Sequence, residues 1–111
     1  MSAKRKSALP IIIAPSARGD LDEIWNWNKK TYDAHHAWRY VELLQRQLKA
    51  LSEIYDQGSP VESRSGLRYM RIGKRTRGPG HIVVYRIDEN AVHIARVFHT
   101  AQNWQTKLAE E

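Results

Sequence analysis

Arg71, Arg86, Arg96 and His99 are the side chains of this chain whose types suit acid–base work on a phosphodiester. Metal-free cleavage of RNA by its own 2′-hydroxyl needs three things. A base must take the hydroxyl proton, cations must meet the charge that grows on the phosphate, and an acid must protonate the leaving oxygen. Three arginines and a histidine are the only residues that could stand in for those roles. Each also has a plainer reading. A histidine that ends a strand most often hydrogen-bonds a neighbouring backbone group or carboxylate. Arg86 and Arg96 interrupt apolar runs, as a shared cationic spot, as arginines partly buried against Asp or Glu, or as snorkelling side chains with solvated heads. No catalytic residue is assigned from this pattern.

Other constellations are weaker. His35 and His36 are adjacent, so on a helix they point about 100° apart, and with His93 they make no metal set. Gly78-Pro79-Gly80 is no phosphate cradle, because no helix with a lysine follows. No metal or cofactor is expected. The run Arg64, Arg68, Arg71, Lys74, Arg75 and Arg77 could track a phosphate backbone or an acidic peptide, or form a solvated edge. Arg68, Arg71, Lys74, Arg75, Arg77 and Trp104 are the candidate partner-binding residues. Of the four tryptophans, Trp25 and Trp38 are expected in the core, while Trp27 and Trp104 could anchor a partner.

The chain that must position these groups has 111 residues, enough for one modest core, with no cysteine and a net charge of +6. A basic surface suits nucleic acid, the ribosome or an acidic protein. Lys4-Arg5-Lys6 mimics the start of a signal peptide, but the apolar run at 9–14 is broken by Pro10 and far too short to span a bilayer. The expectation is a cytoplasmic protein with no membrane contact, a flexible basic segment at 1–8 and a single domain at 9–111.

Residues 82–99 read as two β-branched runs joined by a tight turn at Asp88-Glu89-Asn90, an antiparallel hairpin. Both faces of 82–87 are apolar, so that strand must be covered on both sides. Residues 10–14 make a short strand, on an edge because of Pro10. A helix over 16–31 is predicted, with Ser16 as cap and Asp20, Asp22 and Glu23 favoured near its positive end. Asp33 caps a second helix, whose stripe Ala37, Val41, Leu44, Leu48, Leu51 and Tyr55 is the strongest helical signal in the chain. Gly58 and Pro60 stop it, and the short turn between the helices makes them an antiparallel hairpin. Residues 58–66 read as a loop, 67–72 as a strand and 73–80 as a mobile basic loop. Trp104 and Leu108 lie in a short terminal helix or turn. The class is α+β, in the order β-α-α-β-β-β, a helical hairpin packed on a small, mainly antiparallel sheet.

That order resembles the RelE/ParE toxin superfamily of type II toxin–antitoxin pairs, over roughly residues 11–104. Three stretches carry the likeness: Ala17-Arg18-Gly19-Asp20-Leu21-Asp22-Glu23-Ile24-Trp25, then Leu67-Arg68, then Tyr85-Arg86-Ile87 through Arg96-Val97-Phe98-His99 to Trp104. The resemblance implies one of two activities. RelE-like members cleave mRNA in the ribosomal A site; ParE-like members poison DNA gyrase. The ribonuclease branch often carries an arginine where His81 and Ile82 stand here, and a tyrosine where Thr100 stands. The chain is therefore placed nearer the ParE branch. The implied partners are a ParD-like antitoxin with an acidic tail and DNA gyrase, with ribosome and mRNA as the alternative. DNA would be reached only through the antitoxin. Only if the chain is a ribonuclease would Arg71, Arg86, Arg96 and His99 be catalytic. The resemblance also implies that residues 100–111, past the end of the sheet, matter more to toxicity than to folding.

Overall fold

The computed structural model describes residues 7–74 and 79–111. Residues 75–78 of the basic loop expected at 73–80, Arg75 and Arg77 among them, lie outside them, as do residues 1–6. The chain runs β1 (Ile11–Ile13), α1 (Pro15–Thr31), α2 (Ala34–Ile54), a 3-10 turn (Tyr55–Gln57), β2 (Ser59–Pro60), β3 (Leu67–Ile72), β4 (His81–Ile87), β5 (Val92–His99) and α3 (Trp104–Ala109). The five strands form one sheet in the order β1-β5-β4-β3-β2. β1 runs parallel to β5 on one edge, and the other pairings are antiparallel.

The class and order agree with the sequence reading, with one added strand. Ser59–Pro60 pairs with Arg68–Tyr69 at the second edge, inside the stretch expected to be loop. Proline is tolerated there because an edge strand has a side with no ladder partner. Gly58 precedes it for a steric reason: a Cβ at that position would run into the Tyr85 hydroxyl. That hydroxyl donates to the Tyr55 carbonyl at 2.8 Å, which closes the end of α2 over the sheet.

The sheet has two cores, as the apolar pattern of β4 requires. Val83 and Tyr85 join Leu44, Leu48, Leu51, Leu21 and Ile94 beneath the helical hairpin. Ile82 and Val84 point the other way and meet Phe98, Val61 and Leu108. That second core is closed by α3, where Leu108 is buried and Trp104 packs on the rings of Tyr69 and Phe98, at 4.8 and 6.3 Å. The expectation that 100–111 adds little to folding is thereby corrected. Strand hydrogen bonds do end at β5, but a sheet apolar on both faces needs a cover on both.

Helix starts differ in how they are satisfied. Asp33 caps α2 as expected, accepting from the His36 amide at 2.7 Å. Ser16 does not cap α1: the cap is Ala14 with Pro15 in the first turn, and no acidic residue lies in that turn. Proline at the first helical position is preorganised and lacks only an N–H that would be unsatisfied anyway. The chain before β1 is tied to the end of α2 and the 3-10 turn after it, through Leu9 N donating to Ser52 O at 2.9 Å and Tyr55 Oη donating to the Ser7 carbonyl at 2.8 Å. Trp38 is exposed, not core, and Trp25 is half-buried.

Candidate functional site

Arg96 is the arginine the fold uses most. On β5 it reaches across to α1, where Nε donates to Asp20 Oδ2 at 2.7 Å and Nη2 donates to Asp20 Oδ1 at 2.9 Å. The same Oδ2 accepts from the buried Val97 amide at 2.8 Å. Arg96 also pairs with Glu111 at the chain end and lies over the Phe98 ring. Its hydrogen-bonded carboxylate partner, opposed by the burial of the group itself, holds the guanidinium above its usual pKa, so it stays a cation. Of the readings open for Arg96, partial burial against an aspartate is the one observed. From the sequence alone Asp20 reads as a favourable charge near the start of α1. Its spacing from Ala17 and Ile24 places it on the buried face, which was the signal available in the sequence.

The other candidates disperse. Arg86 pairs loosely with Asp88 at 3.6 Å, with both side chains well exposed, and sits opposite Leu67 and His93. Asp88 organises the hairpin turn. Oδ1 accepts from the Asn90 and Ala91 amides, Oδ2 meets His93 Nε2 at 2.8 Å, and these bonds hold the carboxyl below its ordinary pKa. His99 faces His81 across the sheet at the far end of the same two strands. Arg86 is five residues along β4 from His81, or roughly 16 Å at the usual strand rise. His99 turns inward on its own loop, where Nδ1 accepts from the Ala101 amide at 2.9 Å.

Arg64 donates to the Leu108 carbonyl at 3.1 Å, and Arg68 donates to the carbonyls of Asp56 and Gly58 at 3.2 and 3.0 Å. Met70 and Ile72 pack under the helices while Leu67 and Tyr69 pack on the opposite core, so Arg68 and Arg71 fall on opposite faces of β3. Among the described residues the basic run is therefore not one continuous track. Arg71 lies against Gly80. Beyond it the chain turns at Gly73, whose φ of +129° favours glycine. There the Gln47 side-chain amide donates to Gly73 O at 2.9 Å and accepts from Gly73 N at 2.6 Å. This clamp ends a groove of about 490 Å³ lined by Ala50, Ile54, Met70, Ile72, Arg71 and Lys74.

A second, larger cavity of about 700 Å³ opens between the helical hairpin and the ends of β4 and β5. Among its buried lining residues is His81, whose Nδ1 lies 2.7 Å from the Tyr40 hydroxyl and whose ring meets His99 edge-on at 5.1 Å. Burial, with a lesser contribution from His99, lowers His81 to about 4; burial likewise raises the Tyr40 phenol, with Arg71 opposing. Both are neutral near pH 7. The sequence does not mark Tyr40, and it marks His81 only as standing where the ribonuclease branch often carries arginine. Their partnership joins residues 41 positions apart, on a helix and a strand, and no local pattern marks it.

A pH dependence follows. His81 titrates near 6.5 when unfolded and near 4 when folded, so the unfolded chain binds more protons between those values. Stability is expected to be flat above about pH 7 and to fall by about 1–2 kcal/mol on acidification to pH 5. Urea unfolding at the two pH values, with and without His81→Gln, measures this. A parent protein as stable at pH 5 as at pH 7.5 would show that His81 is not buried neutral.

The geometry defines a small α+β domain with a helical hairpin on a five-stranded sheet, held by an inter-element Asp–Arg pair, in which Arg96 is bound to Asp20 and Arg86 stands apart from the other residues suited to phosphodiester chemistry. The family model described as the ParE toxin of type II toxin–antitoxin system, parDE, matches residues 11–104. The chain belongs to that ParE toxin family. It is 30% identical over 100 residues to Toxin ParE1 of Caulobacter vibrioides, covering 89% of this chain and 97% of that protein. A solved structure described as a chromosomal ParDE TA system from P. aeruginosa superposes with a TM-score of 0.71 at 22% identity, over 82% of this chain and 95% of that one. The last likeness is one of fold. Among the described residues, no helix is long and apolar enough to cross a membrane, and no group of three acidic, histidine or cysteine side chains could hold a metal ion.

Proposed function

We propose that this chain is a cytoplasmic toxin that inhibits DNA gyrase by protein–protein binding and is silenced by a cognate ParD-like antitoxin. The observation that carries the choice of target is the separation of Arg86 from His99 and the commitment of Arg96 to Asp20. Arg96 is bound to Asp20, Arg86 stands roughly 16 Å along the sheet from the His81–His99 rung, and His99 Nδ1 accepts a loop amide. General acid–base catalysis needs its groups within hydrogen-bond reach of one scissile bond. Inhibition by binding needs only a shaped surface.

The groove between α2 and β3 suits the antitoxin. Apolar side chains line its length and Lys74 stands at its end, an arrangement complementary to an amphipathic tail carrying acidic residues. The complex should be tight, and its charged part should weaken with salt. Lys74→Glu is expected to weaken it about tenfold, read by calorimetry with the neighbouring gene product.

Induction of the toxin alone is expected to raise an SOS reporter while bulk protein synthesis continues. With purified gyrase and plasmid, cleaved DNA should accumulate. Rapid loss of translation with A-site mRNA cuts and no SOS response would instead establish the ribonuclease reading.

A further inference from the structure

The cavity of about 700 Å³ beside the helical hairpin has a makeup that neither gyrase inhibition nor antitoxin binding requires. Two of its wall residues are large aromatics left open to solvent: Trp27 and Tyr32 are each 59% exposed. They stand edge to face, 6.1 Å between ring centres, and Tyr32 in turn stacks on His36 at 4.1 Å. Exposing two such rings side by side forfeits the burial that would normally stabilise them, which marks the surface as one that is covered in use. The cavity floor is polar but uncharged near neutral pH, through His81 and Tyr40. With Nδ1 engaged by Tyr40, Nε2 is the second polar atom of the His81 ring. The charged lining comprises Lys74, Lys107 and Arg96 against Asp20 and Glu23, and Asp20 is already neutralised by Arg96. An excess of lysine charge remains at the rim.

We propose that this cavity is a nucleotide-binding site, in which a base stacks on the Trp27 ring with Tyr32 against its edge, its polar edge meets the His81 floor, and its phosphate is held by Lys74 and Lys107. Stacking platforms next to cations are the general means of holding nucleotides without reading their sequence, since every base has a π-face and every nucleotide an anion. A volume of about 700 Å³ is in the range of small-ligand sites. A neutral imidazole can donate at one nitrogen and accept at the other, whereas a charged one would offer donors alone. The site departs from the expectation that nucleic acid is reached only through an antitoxin. It does not rest on the gyrase reading, which would stand if the site were absent.

Calorimetric titration of the full-length protein with ADP, adenosine, pyrophosphate and a five-nucleotide single-stranded DNA tests this. ADP is expected to bind at least about tenfold more tightly than adenosine or pyrophosphate, since only ADP engages both platform and lysines. Trp27→Ala is expected to weaken ADP about tenfold, and Lys107→Ala about threefold with a shallower salt dependence. Both side chains are exposed, so melting curves should stay unchanged. Tighter binding of the DNA than of ADP would make the ligand a nucleic-acid strand; equal binding would make it a free nucleotide. The proposal is overturned if ADP gives no binding heat at millimolar concentration, if pyrophosphate matches it, or if both variants bind ADP like the parent protein.

Discussion

Replacing Asp20 by alanine is expected to destabilise the protein by about 3–5 kcal/mol, a large share of the total for a domain of this size. One carboxylate here satisfies three donors, two from Arg96 and one from the Val97 amide. Alanine leaves a partly buried guanidinium facing Glu111 alone and an amide orphaned in the core. Asp20→Asn should fall between, because the amide oxygen can still accept from Val97 while the charge pairing is lost. Arg96→Met should be milder than Asp20→Ala, since removing the cation leaves a carboxylate with the Val97 bond and access to water. Urea midpoints for the three variants and the Asp20/Arg96 double variant give the coupling directly. A loss under 1 kcal/mol for Asp20→Ala would mean that solvent replaces the pair at no cost. The pair is then ornamental to the fold.

Truncation after Thr100 is expected to abolish the cooperative melt. It strips Leu108 and Trp104 from a surface where Ile82, Val84 and Phe98 are all buried, and it takes away the carbonyl that Arg64 grips. A buried Leu→Ala change alone typically costs about 2–5 kcal/mol, so Leu108→Ala should lower stability by about that much. Trp104 is only half-buried, and Trp104→Ala should cost about 2 kcal/mol, below the range of a fully buried ring. The truncated chain should also aggregate, having exposed a contiguous apolar sheet face. Its toxicity should fall with its folding, so loss of toxicity on truncation cannot by itself locate a gyrase-binding surface. Leu108→Met, which keeps the seal, separates the two effects. A truncated protein that melts cooperatively near the parent temperature would restore the view that residues 100–111 serve only the target.

Local and periodic features were legible in the sequence because nearest neighbours determine them. The α2 stripe, with Ala37, Leu44, Leu48 and Leu51 buried, follows from helical spacing alone. The two-faced burial of β4 follows from alternation, and the 88–91 turn from an aspartate that accepts from amides two and three residues on. The family, too, was readable in the order and spacing of these pieces, since the match extends over residues 11–104.

Tertiary structure decided the rest wherever a side chain's role depends on a distant partner. Asp20 reads as a helix-end charge until β5 brings Arg96 to it from 76 positions away. Trp38 reads as core from its neighbours in α2, yet lies on the face that no sheet covers. Trp104 and Leu108 read as an appendage because strand periodicity ends at His99, while the open face of β4 is what calls them back. His81 reads in the sequence only as a residue standing where another branch carries arginine. Folding places it against Tyr40 and His99 and removes its charge, because desolvation and an adjacent imidazole both oppose protonation.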